Sequence, residues 1–213
     1  MSESDPLASI DHLVYASPDL DRGIREIERL IGVRAKPGGQ HPGRGTRNAL
    51  LALGPRTYLE IVGVDPDQPP PSSPRAFGID QIDEPRLATW VVRSSDVDVV
   101  RRDAIAKGIS LGEVKAGRRQ RTDGVTLSWR FTEPGNVVAD GLVPFYIDWG
   151  DSPHPSLDAP KGATLVALRA EHPDYRRVQQ MLESLHLGLS VTQGSRPALV
   201  ALIDGPRGRV ELR

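Results

Sequence analysis

An internal repeat constrains the fold of this chain more than any other feature of its sequence. Three times, an apolar run precedes a small polar cluster that ends in aspartate, and a helical pattern follows. The three aspartates are Asp19, Asp96 and Asp174, which lie 77 and 78 residues apart. A fixed spacing of this kind indicates supersecondary units that pack against one another, so we expect three related units along the chain.

The first copy shows the unit most clearly. Its helical pattern begins at Leu20, continues with apolar residues at helical spacing and stops at Gly32. The strand-like segment Arg47–Leu53 resembles Arg196–Leu202 in the third copy, and a Gly-Pro-Arg turn follows both. Each copy therefore predicts a strand, then a helix, then two or three strands.

Proline-rich segments separate the units. Residues 65–74 hold five prolines in ten positions, which indicates a linker or a lid, and residues 151–160 form a second joint. We therefore expect a two-module domain at 7–150, with modules at 7–64 and 85–150 and a linker at 65–84. A third, related module of the βαββ type would follow at 161–213.

Composition excludes several classes of partner and site. Lys and Arg number 27 against 28 Asp and Glu, which gives no indication of a nucleic-acid partner. The longest apolar run, Ala198–Ile203, is far too short to span a bilayer, and Met1–Pro6 lacks the features of a signal peptide. We therefore expect a cytoplasmic protein without nucleic-acid or membrane partners. Because the chain has no cysteine, any metal must be held by His, Asp, Glu or neutral oxygen ligands.

Three ionisable residues occupy strand positions whose neighbours two places away are apolar. His12, Glu60 and Asp148 therefore point toward the interior if the strands alternate regularly. A buried carboxylate needs a metal, a cation or strong hydrogen bonds, and one imidazole with two carboxylates suits Zn, Mn, Fe, Co or Ni. Each residue also has a plainer interpretation, in which His12 is a hydrogen-bonded structural residue and the carboxylates pair with arginines.

Four segments carry a resemblance to a known family. They are Ile10–Val14, Gly38–Asn48, Tyr58–Val62 and Pro144–Gly150. Together with the order of strand, helix and three strands, they resemble the glyoxalase-like domain proteins of the vicinal oxygen chelate (VOC) superfamily. The resemblance implies an α+β fold of the glyoxalase/bleomycin-resistance type, in which repeated βαβββ modules form an open barrel-like mixed sheet. An additional C-terminal half-module would follow it here.

The resemblance also implies a set of site residues. A divalent metal would be held by His12, Glu60 and Asp148, with Thr89 at the position where a fourth ligand is expected. Glu60 and Asp148 are then the catalytic residues, since a carboxylate that leaves the metal can act as a general base. Among the expected substrate contacts, Arg47 suits a carboxylate or phosphate. The full set of expected contacts is His41, Thr46, Arg47, Asn48, Trp90 and Trp129.

Two classes of function follow from this resemblance. The first is a divalent-metal-dependent isomerase, epimerase or lyase that acts on a small oxygen-rich molecule. The alternative is a non-catalytic protein that binds a ligand or sequesters a drug without metal, which Thr89 at the fourth position favours. A third interpretation is a scaffold in which the odd third unit forms a homodimer contact. The basic run 118–121 could attract an anionic substrate, although a solvated loop is the plainer interpretation.

Overall fold

The chain folds as three units, and the computed structural model describes residues 6–120, 124–135 and 137–213. The first unit contains β1 (Ile10–Ala16), α1 (Leu20–Ile31), β2 (Lys36–His41), β3 (Thr46–Gly54) and β4 (Thr57–Val64). The second contains β5 (Arg86–Arg93), α2 (Val97–Ala106), β6 (Val114–Gln120), β7 (Thr126–Thr132) and β8 (Phe145–Asp148). The third contains β9 (Thr164–His172), α3 (Tyr175–Ser184), β10 (Ser190–Gln193), β11 (Ala198–Gly205) and β12 (Gly208–Leu212). Short 3-10 helices lie at Pro6–Ser9, Ala76–Gln81, Ala139–Gly141 and Pro155–Leu157.

The repeated aspartates mark the starts of the helices. Asp19 caps α1 by accepting a hydrogen bond from the Arg22 N–H, and Asp96 caps α2 through two backbone N–H groups. Asp174 occupies the same position before α3 without a side-chain cap bond. A short acidic side chain satisfies N–H groups that the helix leaves unpaired, which explains Asp19 and Asp96 at the starts of α1 and α2. No helix in the described part of the chain is long and apolar enough to cross a membrane.

The first two units share one eight-stranded sheet with the order β2-β3-β4-β1-β5-β8-β7-β6. At its centre β1 and β5 pair antiparallel, while β1 pairs parallel with β4 and β5 pairs parallel with β8. Read outward from the centre, both units therefore have the same strand order, and the sheet curls into a nearly closed barrel. The predicted α+β fold, with βαβββ modules forming an open barrel-like mixed sheet, is confirmed.

A one-residue bulge interrupts the alternation at equivalent places in both central strands. In β1 the pairing passes from Ile10 to His12, so Asp11 is the extra residue. In β5 the pairing passes from Leu87 to Thr89, so Ala88 is the extra residue, 77 positions after Asp11. The extra residue of a bulge shifts the phase of the alternation and re-aims the side chains beside it.

The third unit has the same element order as the first but a different sheet. Its strands are arranged β10-β9-β11-β12, so β9 pairs with β10 and β11 and not with the last strand. In the first unit, by contrast, β1 pairs with the last strand, β4. The similar sequence segments form the β3–β4 and β11–β12 hairpins, so the shared feature is a hairpin. Apolar side chains of all three units join one main core, and separate domains at 7–150 and 161–213 remain a prediction.

Candidate functional site

A cavity of about 560 Å³ lies on one face of the eight-stranded sheet. Segment 71–77, from the proline-rich linker, forms one further wall. A volume of this size accommodates a small or drug-sized ligand. The first unit contributes mainly polar side chains, which are His12, His41, Thr46, Asn48, Tyr58 and Glu60. The second unit contributes mainly aromatic side chains, which are Trp129, Phe131, Phe145 and Trp149, together with Ile147.

His12 lies on the cavity wall beside the bulge of β1. Its Nδ1 lies 2.8 Å from Asp11 Oδ1, and its Nε2 lies 3.5 Å from Glu60 Oε2. The imidazole stacks on the Tyr58 ring, with the two ring centroids 4.5 Å apart. When a carboxylate binds one nitrogen of a histidine, it fixes the tautomer and presents the other nitrogen to a ligand.

Asp11 is a fully buried carboxylate that three N–H donors surround. In addition to His12, Trp149 Nε1 donates to Asp11 at 3.2 Å, and His154 Nε2 lies 3.1 Å from Oδ2. Because an ionised carboxylate can only accept hydrogen bonds, the nitrogen of His154 that faces Asp11, Nε2, carries a proton. Burial by itself raises the pKa of Asp11, but hydrogen bonds to His12 and His154 and their charges bring it below its usual range. Asp11 therefore stays ionised and accepts the Nδ1 proton of His12.

Glu60 is the second carboxylate of the site, and its side chain is only 13% exposed. Asn48 Nδ2 donates to its Oε1 at 2.6 Å, and His41 Nε2 lies 3.6 Å from the same oxygen. His41 is held in turn by Thr46, whose Oγ1 lies 2.9 Å from Nδ1. Burial raises the pKa of Glu60, but interactions with His41, His12 and Asn48 outweigh burial and lower it to about 2. Glu60 is thus an anion at neutral pH and faces the imidazole of His12.

Comparison with known proteins assigns the chain to a family. The model of a family described as a glyoxalase-like domain matches residues 10–186. The chain belongs to this glyoxalase-like domain family. The resemblance to glyoxalase-like domain proteins of the VOC superfamily, expected from the sequence, is therefore confirmed. None of the curated proteins matches the sequence significantly.

Solved structures share the fold of this glyoxalase-like protein. A hypothetical protein from Staphylococcus aureus is similar with a TM-score of 0.64 and 14% identity, over 95% of this chain and 83% of that one. The methylmalonyl-CoA epimerase from Mycobacterium tuberculosis is similar with a TM-score of 0.45 and 23% identity, over 74% of this chain and 95% of that one. At 14% identity, the likeness to the Staphylococcus aureus protein extends to the fold alone.

Four of the six predicted substrate contacts of the glyoxalase-like chain line the cavity, namely His41, Thr46, Asn48 and Trp129. The other two, Arg47 and Trp90, lie on the opposite face of the sheet. The guanidinium of Arg47 lies 3.8 Å from a carboxylate oxygen of Asp21 in α1. Trp90 is buried in the main core, where its Nε1 donates to the Leu142 carbonyl at 2.8 Å. Arg47 follows a cavity-facing residue on its strand, and successive side chains alternate between the two faces.

Asp148 also points away from the cavity. Phe145, Ile147 and Trp149 are the cavity-facing residues in and after β8, so the residue between the last two lies on the other face. There Asp148 Oδ1 accepts a hydrogen bond from the Gly150 N–H at 2.8 Å. The structure therefore separates Asp148 from the other predicted ligands.

The predicted Zn, Mn, Fe, Co or Ni site does not fit the residues that the structure brings together. His12 and Glu60 lie side by side, but Asp148 is absent from the cluster and Asn48 already binds one Glu60 oxygen. Thr89, at the expected fourth position, donates its hydroxyl proton to the Gly141 carbonyl at 2.8 Å. Within residues 6–120, 124–135 and 137–213, no three His, Asp or Glu side chains are arranged to hold a metal ion.

Three residues of the site were missed in the sequence. Asp11 was missed because strict alternation places it opposite His12, and only the bulge brings the two side chains together. His154 comes from the joint after the second unit, where nothing local links it to β1. Arg119 belongs to the basic run interpreted as a solvated loop, but it lies in β6 and lines the cavity.

Proposed function

We propose that the chain is an enzyme that transfers a proton on a small oxygenated molecule, as an isomerase, epimerase or lyase. The observation that supports this function is the Asp11–His12 pair, which directs one imidazole nitrogen into the cavity beside Glu60. Proton transfer requires a base in a fixed orientation, and here a buried carboxylate orients the base.

In this proposal, His12 Nε2 removes a proton from a carbon next to a carbonyl group. The electron pair of the C–H bond moves onto the carbonyl oxygen and gives an enolate, while His12 becomes an imidazolium. Asp11 at Nδ1 and Glu60 opposite Nε2 stabilise this cation. Return of the proton to the other face or to another carbon completes an epimerisation or isomerisation. Departure of a leaving group from the enolate completes an elimination.

Glu60 acts here as the electrostatic partner of His12 and not as the base. A carboxylate whose pKa is lowered to about 2 binds protons weakly at neutral pH, whereas a base works best with a pKa near the operating pH. Because the donors of the site do not fit a metal ion, the proposal contains no step that passes through one. In this proposal, Glu60 and His12 act in proton transfer and not in the metal binding that the sequence predicts.

Ligand binding without turnover is the second candidate function, and one observation favours it. The polar groups on the first-unit side of the cavity bind one another, as Asn48 with Glu60 and His41 with Thr46 do, while the facing wall is aromatic. A ligand could therefore be held mainly by apolar contacts. For either function, the cytoplasmic location and the homodimer remain predictions.

Hydrogen–deuterium exchange tests the proton-transfer proposal. In D2O, the wild-type protein is expected to accelerate loss of the proton NMR signal next to the carbonyl of 2-oxo-4-phenylbutanoate or 4-phenyl-2-butanone. His12→Asn should slow this exchange by about 100-fold or more, because it removes the base. Calorimetry with the same two compounds shows whether the variant still binds them.

Two controls complete this experiment. Prior treatment with EDTA is expected to leave the exchange rate unchanged; a rate that EDTA abolishes and added zinc restores would contradict a metal-free mechanism. Saturable binding of either compound without accelerated exchange would support the second function and overturn the first.

A further inference from the structure

Among the described residues, three arginines line the cavity, and they differ in their partners. Arg44 Nη1 lies 2.8 Å from Glu133 Oε1, and Arg75 Nη1 lies 2.6 Å from Asp80 Oδ1. Arg119 has no carboxylate partner among the described residues. Of these three guanidinium groups, that of Arg119 is therefore left for a ligand, because the charges of the other two are already compensated.

The surroundings of Arg119 hold its side chain across β2. A Cβ atom added at Gly38 would lie 3.1 Å from Arg119 Nη1, and one added at Gly39 would lie 2.9 Å from Cδ. The two glycines thus leave the space that the arginine side chain occupies. Nη1 donates to Asn48 Oδ1 at 3.3 Å, a long hydrogen bond.

The Nε–H group of Arg119 is buried, and it has no hydrogen-bond partner in the part of the chain that the structure describes. A buried donor without an acceptor is costly, and a donor on a charged group is more costly still. Nε and one Nη of a guanidinium together match the two oxygens of a carboxylate. The unpaired edge of Arg119 therefore calls for an acceptor that a ligand can supply.

The wall formed by β7 and β8 suits the rest of such a ligand. Trp129 and Trp149 lie with ring centroids 5.3 Å apart, and Phe131 and Phe145 line the same side of the cavity. Aromatic side chains of this kind bury large apolar groups and contact flat ones face to edge. An apolar or aromatic body would therefore lose its hydration against this wall.

We propose that the cavity takes a carboxylate compound with an apolar or aromatic body, and that Arg119 binds its carboxylate. This inference rests on the proposed function, whose substrate class it names. Asn48 links the subsite to the reaction centre, because it accepts from Arg119 and donates to Glu60 at 2.6 Å. The carboxylate then lies one amide group away from the residue that faces His12, and the ligand is amphipathic.

Calorimetry with a matched pair of probes tests this subsite. The probes are 4-phenylbutanoate and its neutral amide, 4-phenylbutanamide, which share the aromatic body and differ in charge. Wild-type protein is expected to bind the carboxylate about 10-fold or more tightly than the amide. Arg119→Gln should remove that preference and leave the affinity for the amide unchanged.

Arg118→Gln is the matched control, since it removes the same charge from the exposed neighbouring position on β6. It should retain the full preference for the carboxylate. Arg119→Lys, which keeps the charge and loses the planar fork, should fall between wild type and Arg119→Gln. Thermal unfolding of each variant shows that the fold is intact.

Several outcomes would overturn the subsite. One is an equal loss of the carboxylate preference in Arg118→Gln and Arg119→Gln. The others are no preference of the wild type for the carboxylate, and no binding of either probe in the millimolar range. The proposed function fails separately, because an Arg119-dependent preference without deuterium exchange would leave the subsite standing and remove the catalysis. Exchange on 4-phenyl-2-butanone with no Arg119-dependent preference would do the reverse.

Discussion

The two halves of the barrel carry the same bulge but fill it with different side chains. In β1 the bulge holds Asp11 and is followed by His12, whereas in β5 it holds Ala88 and is followed by Thr89. In the first pair the buried Asp11 carboxylate binds His12, whose imidazole lines the cavity, whereas the Thr89 hydroxyl binds the Gly141 carbonyl. The backbone supplies the same geometry twice, so the residues at the bulge decide which half carries chemistry.

The same division continues across the cavity walls. The first half adds His41, Asn48 and Glu60 beside the dyad, and the second half adds Trp129 and Phe145. Polar groups that bind one another can direct a proton, whereas an aromatic wall can only hold a ligand and exclude water. The halves are thus equivalent in fold and complementary in role, and substitutions at matched positions should separate them.

The largest effect on stability is expected at Asp11. Asp11→Asn removes the charge on which the N–H groups of His12, His154 and Trp149 converge, and should lower the free energy of unfolding by roughly 4 kcal/mol. Urea unfolding measures this change. Thr89→Val, at the residue that follows the bulge of the second half, should cost only about 1 kcal/mol through one lost hydrogen bond. Equal losses in both variants would break the comparison.

A pH-dependent effect is expected at Glu60. Its pKa falls from the ordinary value of 4.5 to about 2 in the folded state. At a pH above 4.5, ionised Glu60 therefore stabilises the fold by roughly 3 kcal/mol. This contribution should decline as the pH falls from 4.5 to about 2. Urea unfolding of wild type and Glu60→Gln over this pH range measures it as a shrinking difference. A constant difference would show that the carboxylate is not stabilised by its neighbours.

The smallest effect is expected at Asp148. Asp148→Asn keeps the oxygen that accepts from the Gly150 N–H and lies on the face away from the cavity, so stability should change by less than about 0.5 kcal/mol. Deuterium exchange on 2-oxo-4-phenylbutanoate should proceed at the wild-type rate. A large loss of exchange would return Asp148 to the site and blur the distinction between the halves.

The sequence alone allowed the architecture to be predicted further than the site. The aspartate caps and the recurrent strand-helix pattern predict the two modules, since both are local features that each copy repeats. The sheet of the third unit could not be read in this way. The hairpin similarity between Arg47–Leu53 and Arg196–Leu202 says nothing about where β9 inserts, because strand order depends on packing between distant segments.

Within the site, the alternation rule succeeded where strands are regular and failed elsewhere. It places Thr46 and Asn48 in the cavity, and the same rule sends Arg47 to the other face. Asp11 escaped because the bulge changes the phase. Asp148 was misplaced because the strand register puts Phe145 at the place of Glu60: Glu60 pairs with Val14, and Phe145 pairs with the equivalent Val91. No local pattern reveals such offsets, which only strand pairing defines.

Segment 71–77 of the proline-rich linker affects how much conformational entropy the protein loses when a ligand binds. Pro71 and Pro74 have φ fixed by their rings, and Arg75 anchors the segment by donating to the Gly45 carbonyl at 2.9 Å and pairing with Asp80. A segment with so few accessible conformations loses little conformational entropy when a ligand binds. The linker that joins the two modules therefore also makes the binding surface largely preorganised.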